Sequence, residues 1–592
     1  MHLSRVQIKQ FRNFDNLDVR LTGNAVIVGE NRVGKSNFLF ALRLVLDASL
    51  PDTARQLKLT DIWDGHDTAV DPRVEVHLDF ADFDSDVKLT ALLTDYRLAA
   101  DHTVARLSYV FRKKAEIEGP PQSEADFDFK VYGRDDESVN IDSRLRRRIC
   151  LALLPALRDA ETELAVWRTS PLRLLLDDAI GQVPKAEMES VGAEVSIATA
   201  KITAMAPIQA LERALKDRMA NLAGPAQDVQ TKLGLAPTDP LRLFRSIRLL
   251  IDDGKRGIAD ASLGSANLAL LTLKLEEFEW LRRKNEQNFT LVCIEEPEAH
   301  LHPHLQRTVF RKLLDDSVGQ PLSLFLTTHS PTIASVASLK SVVVLKQHEN
   351  EGTKGYSLAH LNLSAREVED LERYLDVSRA DLLFARAVVF VEGDAEEALI
   401  PVFAKTLGYD LDALGITVCN VGGTHFAPYV RLACALSIPF CVITDWDPGE
   451  SGAPLGATRS INLLDAIRTA KGIPVLTPAE KTAYGTDHHE LRRASAAGGI
   501  FSNTTTLEVA IATAPGIGPR LLDVLEAENF GATRRRRIAS WKAGTAIDGE
   551  QLLAMVATIG KGRLAARLAA QSVALEPPQY IRDAIEFLNG HE

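Results

Sequence analysis

The chain has 592 residues, 46% of them hydrophobic and 25% charged, with a net charge of −12. Roughly three or four ordinary domains fit in that length, and the composition excludes a disordered chain. The acidic balance argues against a general polyanion binder but allows segregated patches of either sign.

No apolar run approaches the ~18 residues of a membrane span, and Met-His-Leu-Ser-Arg-Val opens without a signal-peptide core. Five cysteines show no CxxC or ligand spacing. Three of them lie in apolar runs and read as small core residues, which implies a reducing cytoplasm without structural zinc.

Residues 5–11 alternate like a half-buried strand. The apolar residues 25–28 form a second strand, which runs into Gly29-Glu-Asn-Arg-Val-Gly-Lys-Ser36. That loop fits GxxxxGK[ST] at every position, and residues 38–46 then show helical periodicity. Strand, glycine loop and helix are the context this motif requires. Backbone N–H groups and the helix N-terminus favour phosphates. Gly29, Asn31, Gly34, Lys35, Ser36 and Asn37 are the candidate ATP contacts. Lys35 would reach the β- and γ-phosphates, and Ser36 would ligate Mg²⁺.

Residues 74–80 and 104–111 alternate with period two, as antiparallel strands do. From about 143 to 222, Ala, Leu, Glu, Arg and Lys dominate. Residues 186–222 read as one or two long helices within an insert spanning 146–240, either a scaffold or, the favoured reading, a dimerisation arm. The basic runs 144–148 and 534–537 read first as solvated faces.

Sheet character returns near 244–251. Ala261-Ser-Leu-Gly-Ser-Ala-Asn267 then opens an apolar helix over 268–278, with Ser262 as a candidate phosphate contact. Leu291-Val-Cys-Ile294 is a short buried strand. Glu295 and Glu296 stand at its end, where Pro297 stops the ladder. Charged chemistry belongs beyond the carboxyl ends of strands. Glu295 would hold Mg²⁺ and Glu296 would orient the water attacking a γ-phosphate. A further strand, 322–328, ends at His329, a candidate γ-phosphate contact.

The glycine loop, the Ser-Leu-Gly-Ser turn, the Ile-Glu-Glu-Pro strand end and the Thr-Thr-His strand end occur in the order of the ABC-type ATPases. The chain resembles their RecF and SMC-like branch. That resemblance implies head-to-head dimers in which Ser262 completes the ATP site of the other subunit. Two departures stand out: the signature is not Leu-Ser-Gly-Gly-Gln, and Glu295 replaces the usual Asp. No Q-loop glutamine is assigned.

Residues 347–356 are polar and Gly-containing and read as a linker; 365–385 read as helical. A second α/β unit follows. Ala387-Val-Val-Phe-Val391 ends in Glu392-Gly-Asp-Ala-Glu-Glu397, 416–421 ends in Gly422-Gly423, and 438–444 ends in Asp445-Trp-Asp447. This is the pattern of a small parallel sheet. Glu392 and Asp445-x-Asp447 would converge on one crevice. Clustered carboxylates repel unless cations lie between them, and hard oxygen donors suit Mg²⁺ or Mn²⁺. Asp487-His-His-Glu490 reads as surface, and Glu298, His300 and His302 as structural.

Residues 385–470 resemble a Toprim domain. The whole arrangement resembles the OLD (overcoming lysogenization defect) family, which includes the nuclease subunit of the Gabija defence system. The expected fold is a multidomain α/β chain. An ABC-type ATPase (1–145 and 241–360) carries the helical insert, and a Toprim domain with C-terminal helices follows (380–592). The family's further acidic residue and lysine match Glu508 and Lys561.

The resemblance implies an ATP-regulated, metal-dependent DNA endonuclease of anti-phage defence. Glu392, Glu396, Asp445, Asp447 and Glu508 would hold two Mg²⁺ or Mn²⁺ ions, with Glu392 and Lys561 taking part in catalysis. Expected partners are double-stranded DNA, a second copy or more of the chain, and a UvrD-like helicase, in the cytoplasm and without a membrane. The rival readings are a topoisomerase- or primase-like enzyme and a RecF/SMC-like DNA scaffold whose Toprim site is inactive.

Overall fold

A computed structural model describes residues 1–66, 72–119, 121, 123–155, 170–223, 232–233, 247–251, 253–284, 286–361, 363–375, 379–447, 454–571 and 574–590. The chain divides into two compact units. One comprises 1–153, 291–298 and 303–592, and the other 154–290 and 299–302.

The strands up to the glycine loop are β1 (His2–Phe11), β2 (Phe14–Arg20) and β3 (Ala25–Val28). They are followed by β4 (Arg73–Ala81), β5 (Ala105–Lys113), β6 (Phe127–Gly133) and β7 (Ile149–Leu154). The second unit contributes a short hairpin, β8 (Leu250–Ile251) and β9 (Arg256–Gly257). Then come β10 (Phe289–Glu295), β11 (Leu322–Thr328), β12 (Val342–His348) and β13 (Gly352–Ser357).

Eleven of these strands form one sheet, in the order β6-β5-β4-β1-β2-β13-β12-β3-β11-β10-β7. β1 alternates because only one face is covered: Val6, Ile8 and Phe11 are buried and the intervening Gln7 and Lys9 are not. β3, by contrast, is buried throughout and runs parallel to both β11 and β12. This central position brings the glycine loop and the ends of β10 and β11 to one side of the sheet. The helix Lys35–Leu46 buries Phe38, Leu39, Leu42 and Val45.

Two expectations change here. The stretch 347–356 is not a linker: β12 and β13 are an antiparallel hairpin within the sheet, and Gly352 pairs with Phe14 of β2. Its polarity hid the strand because its inward residue is Thr353, 1% exposed, rather than an aliphatic side chain. The other change is at β7, which extends the sheet to Leu154, past the expected start of the insert at 146. Its Ile-Cys-Leu-Ala-Leu-Leu run lies directly after an Arg-rich helix, Ser143–Arg148, and reads as more of the same.

The second unit holds the helices Lys185–Thr203 and Ala206–Ala223, the two expected over 186–222. It also holds the helix Leu263–Arg283. Of the expected sheet stretch at 244–251, residues 244–246 lie outside the described residues, and in 247–251 only Leu250–Ile251, β8, is strand.

The region expected to be a Toprim domain holds, among the described residues, a four-stranded parallel sheet, one strand more than expected. Its strands are β14 (Ala387–Val391), β15 (Ile416–Asn420), β16 (Phe440–Thr444) and β17 (Ile500–Ser502), in the order β15-β14-β16-β17. Its core continues into the C-terminal helices: Val389, Phe403 and Ile443 share one cluster with Leu525, Ile538, Leu552, Leu564 and Ile581. Folding this half therefore fixes where residues 503–561 stand relative to β14 and β16. Cys293 in β10 and Cys441 in β16 are wholly buried free thiols. Among the described residues, no helix is long and apolar enough to cross a membrane.

Candidate active sites

The first site forms around the glycine loop. Gly34 sits at φ 94°, and a Cβ there would lie 2.1 Å from the Asn13 amide nitrogen. Only glycine allows the loop this close to the β1–β2 turn. Asn13 donates to the Val33 carbonyl (2.7 Å) and to Thr353 Oγ1 (2.9 Å), and accepts from Asn37 Nδ2 (2.7 Å). Arg12 reaches the same Asn37 (2.7 Å) and Asp61 (2.8 Å). Asn37 thus braces the loop from behind, and the β12–β13 hairpin supports it through Thr353.

Lys35 Nζ donates to the carbonyls of Gly29 (2.9 Å) and Glu30 (2.8 Å) and stands 3.4 Å from His329 Nδ1. Burial pushes its ammonium down to about 8. Asn31 and Ser36 are exposed on the loop's outer face, free to meet a ligand.

At the end of β10, Glu295 is half-buried and Glu296 exposed. Glu296 is held at φ 42° while its N–H donates to Thr327 O at 2.9 Å. This left-handed turn aims its carboxylate beyond the sheet, 3.7 Å from His329 Nε2. Burial and the adjacent Lys35 hold His329 below its ordinary value, so its ring is neutral at pH 7. Glu298 ties the ends of β10 and β11 together, accepting from His329 N (2.8 Å) and Thr328 Oγ1 (2.9 Å). The glycine loop, Glu296 and His329 are therefore brought together as expected. Ser262 lies in the other unit, where its hydroxyl caps the helix Leu263–Arg283 by accepting from Ser265 N at 3.2 Å.

The second site forms at the carboxyl ends of β14 and β16. Glu392 Oε1 accepts from Asp445 N at 2.8 Å and from Thr444 Oγ1. Asp445 Oδ1 is fixed by Asn503 Nδ2 (2.6 Å) and by Leu507 N (2.9 Å) at the start of the helix Leu507–Thr513. Glu396, Asp445 and Glu508 are 7%, 7% and 5% exposed. Burial, reinforced by the neighbouring carboxylates, pushes Glu396 up to about 8 and Asp445 up to about 7. Each of the two feels both Glu392 and Glu508, so the expected carboxylates do share one electrostatic neighbourhood.

Lys561 Nζ lies 3.0 Å from Glu508 Oε1. Two glycines put it there. Gly560 turns the chain at φ 96°, and a Cβ on Gly562 would lie 3.0 Å from Asp394 Cβ, so the helix Lys561–Ala569 closes on the helix Asp394–Thr406.

Sequence reasoning missed Arg459 and Asn503. Arg459 Nη1 donates to Glu392 Oε1 (2.7 Å) and Nη2 to Asp447 Oδ2 (2.9 Å). Asn503 also accepts from Trp446 N at 2.9 Å and so holds the Asp-Trp-Asp turn. Neither carries a local signal. Arg459 is one arginine on an ordinary helix, Leu455–Ala470, and Asn503 follows a strand only three residues long. The Asp487-His-His-Glu490 stretch, expected at the surface, exposes Asp487 and His489, with Asp487 capping the helix His488–Ala497.

Among the described residues, no three Cys, His, Asp or Glu side chains are gathered tightly enough to share one ion. Three of the carboxylates are tied to Arg459 or Lys561 instead. The donor set still fits a hard divalent cation. It is all oxygen, and Glu508 Oε2 is buried without a hydrogen-bond donor.

Residues 383–447 match the family described as overcoming lysogenization defect protein-like, TOPRIM domain. Residues 25–335 match the AAA domain, putative AbiEii toxin, Type IV TA system family. The chain is 25% identical to the OLD nuclease of Thermus scotoductus over 452 residues, covering 75% of this chain and 82% of that protein. It is 23% identical to the endonuclease GajA of Bacillus cereus over 485 residues, covering 78% and 79%. Among solved structures, the C-terminal region of the Burkholderia pseudomallei OLD protein is 39% identical, covering 35% of this chain and 98% of that one, with a TM-score of 0.31.

Proposed function

This chain, an ATPase joined to a Toprim nuclease domain, belongs to the OLD family, and on that premise we propose that it is a nucleotide-regulated, divalent-metal-dependent DNA endonuclease of anti-phage defence. The observation that carries this reading is Glu508 Oε2, a buried carboxylate oxygen without a donor in a cluster of five carboxylates. A buried carboxylate oxygen left without a partner is costly and is kept where a cation is bound.

Two Mg²⁺ or Mn²⁺ ions at Glu392, Glu396, Asp445, Asp447 and Glu508 would supply an activated water and Lewis-acid stabilisation of a phosphodiester. The chain's own residues do the rest. Asn503 and Leu507 N hold Asp445 Oδ1 and leave its second oxygen for a cation. Lys561, whose side chain is 58% exposed, faces the phosphate and offsets the charge developing on its oxygens.

At the other site, Gly29, Asn31, Gly34 and Lys35 bind the ATP phosphates. Ser36 and Glu295 bind the Mg²⁺ that accompanies them. Glu296 orients the attacking water, and neutral His329 contacts the γ-phosphate. Leu211, Leu215 and Met219 are exposed at four-residue spacing on the helix Ala206–Ala223. That stripe supports self-association into a dimer or larger assembly, with Ser262 of one protomer completing the ATP site of the other. A UvrD-like helicase is a candidate partner.

The test is a supercoiled plasmid incubated with Mg²⁺ or Mn²⁺, with and without ATP. The expected result is metal-dependent nicked or linear product whose yield changes with ATP and which Asp445→Ala does not form. ATP turnover without cleavage under any of these conditions would favour the RecF/SMC-like scaffold.

A further inference from the structure

Arg459 is the most heavily bonded side chain at the nuclease site. Besides Glu392 and Asp447, its guanidinium donates to Thr444 Oγ1 (2.6 Å) and the Asp445 carbonyl (2.9 Å). The side chain is only 12% exposed, against 58% for Lys561. The two cations therefore differ in kind. Lys561 is open to a substrate, whereas Arg459 is sealed between the ends of β14 and β16.

The fork spans the gap between Glu392 and Asp447, where an ion shared by those carboxylates would sit. Neither carboxylate can easily retreat. Glu392 Oε1 is held by Asp445 N, and Asp447 is fixed at φ 48° with its N–H on Thr505 O at 3.0 Å. Two cations cannot share that gap, since like charges at such range repel by several kcal/mol at about ε 20.

We propose that Arg459 is a built-in competitor for the divalent cation: an ion reaches Glu392 and Asp447 only by displacing its guanidinium. The proposal rests on the reading of the carboxylate cluster as a divalent-metal site. Arg459 thereby weakens cation binding while keeping the carboxylates from repelling one another before the ion arrives. It makes the site respond to metal concentration over a range that the carboxylates alone would not set.

The test is Mn²⁺ titration calorimetry on the full-length protein and on Arg459→Met and Arg459→Lys, with melting temperatures in EDTA and in saturating Mn²⁺. Arg459→Met should bind Mn²⁺ about tenfold more tightly, the worth of one charge-assisted contact removed from the competitor. It should also melt earlier in EDTA, with the deficit reduced by Mn²⁺. Arg459→Lys should fall between Met and the parent, because an ammonium keeps the charge but not the fork. An unchanged or weaker Mn²⁺ affinity in Arg459→Met overturns the proposal and makes Arg459 a simple structural tie. If the Met variant does not fold, the Lys variant decides: tighter binding than the parent supports competition, and equal or weaker binding overturns it. Asp445→Asn separates the two layers. If it binds Mn²⁺ as the parent does, the cluster is not the metal site and the functional reading falls whatever Arg459 does.

Discussion

At the ATP site, Lys35 bonds to two carbonyls five and six residues before it in the same loop. At the nuclease site, Arg459 bonds to a carboxylate 67 residues away. The first site is assembled by local backbone geometry: a left-handed Gly34, a left-handed Glu296 and a helix N-terminus. The second is assembled by side chains from the ends of β14, β16 and β17 and from four helices, and the packed C-terminal core holds them in register. A contiguous loop can be rebuilt by a few residues, whereas a dispersed site fails with its fold. The two should therefore fail independently, and in opposite directions with pH.

The largest expected effect is at the nuclease site. Asp445→Ala removes a candidate ion ligand and should reduce plasmid nicking to background, while phosphate release from ATP without DNA stays at the parental rate. Loss of both activities would break the comparison. Glu296→Gln is the converse. ATP turnover should drop by about 10²–10⁴, as when a positioned base is lost, with nucleotide affinity retained. Normal hydrolysis in that variant would move the water-orienting role elsewhere.

Lys561→Ala comes next, with nicking slowed by about 10²–10³ and Mn²⁺ affinity the same or higher. Cleavage at the parental rate would make it a surface residue.

The pH dependence sharpens the contrast. Glu396 near 8 and Asp445 near 7 hold protons that an incoming cation must expel. Mn²⁺ affinity should therefore climb from pH 6 to 8, by up to about tenfold per unit for each proton released. Lys35 near 8 must be charged to meet phosphate. ATP affinity should therefore fall above pH 8. Titrations of both ligands between pH 6 and 9 check the two slopes; parallel slopes would contradict the assignment of the groups. The smallest effect is Glu298→Gln. It leaves one acceptor for two donors, and turnover should fall by up to about tenfold, the scale of one hydrogen bond.

This difference also governs what could be read in the sequence. The glycine loop and the acidic end of β10 are contiguous, and their chemistry follows from order and spacing alone. The ends of β14 and β16 are legible for the same reason, as apolar runs followed by carboxylates. Glu508 and Lys561 are not. They stand 116 and 169 residues after Glu392 by their numbering, and only the family resemblance singled them out. Arg459 escaped both routes, because nothing in a helix of mixed composition marks one arginine as facing inward. The β12–β13 hairpin was missed for another reason. Its pairing is set by Asn13 and Phe14, more than 330 residues upstream, and a strand supported by such distant partners need not look apolar.

The buried thiols of β10 and β16 give each half of the molecule its own clock. Burial raises both thiols well above their ordinary value, so neither presents a thiolate to an alkylating reagent while its strand is in place. Modification requires the strand to open, and the rate reports the free energy of that opening. Cys293 lies two residues before the paired glutamates and Cys441 four before the Asp-x-Asp. Peptide-resolved labelling would then time the loosening of the ATPase sheet and of the Toprim sheet separately, in one tube and without an introduced probe.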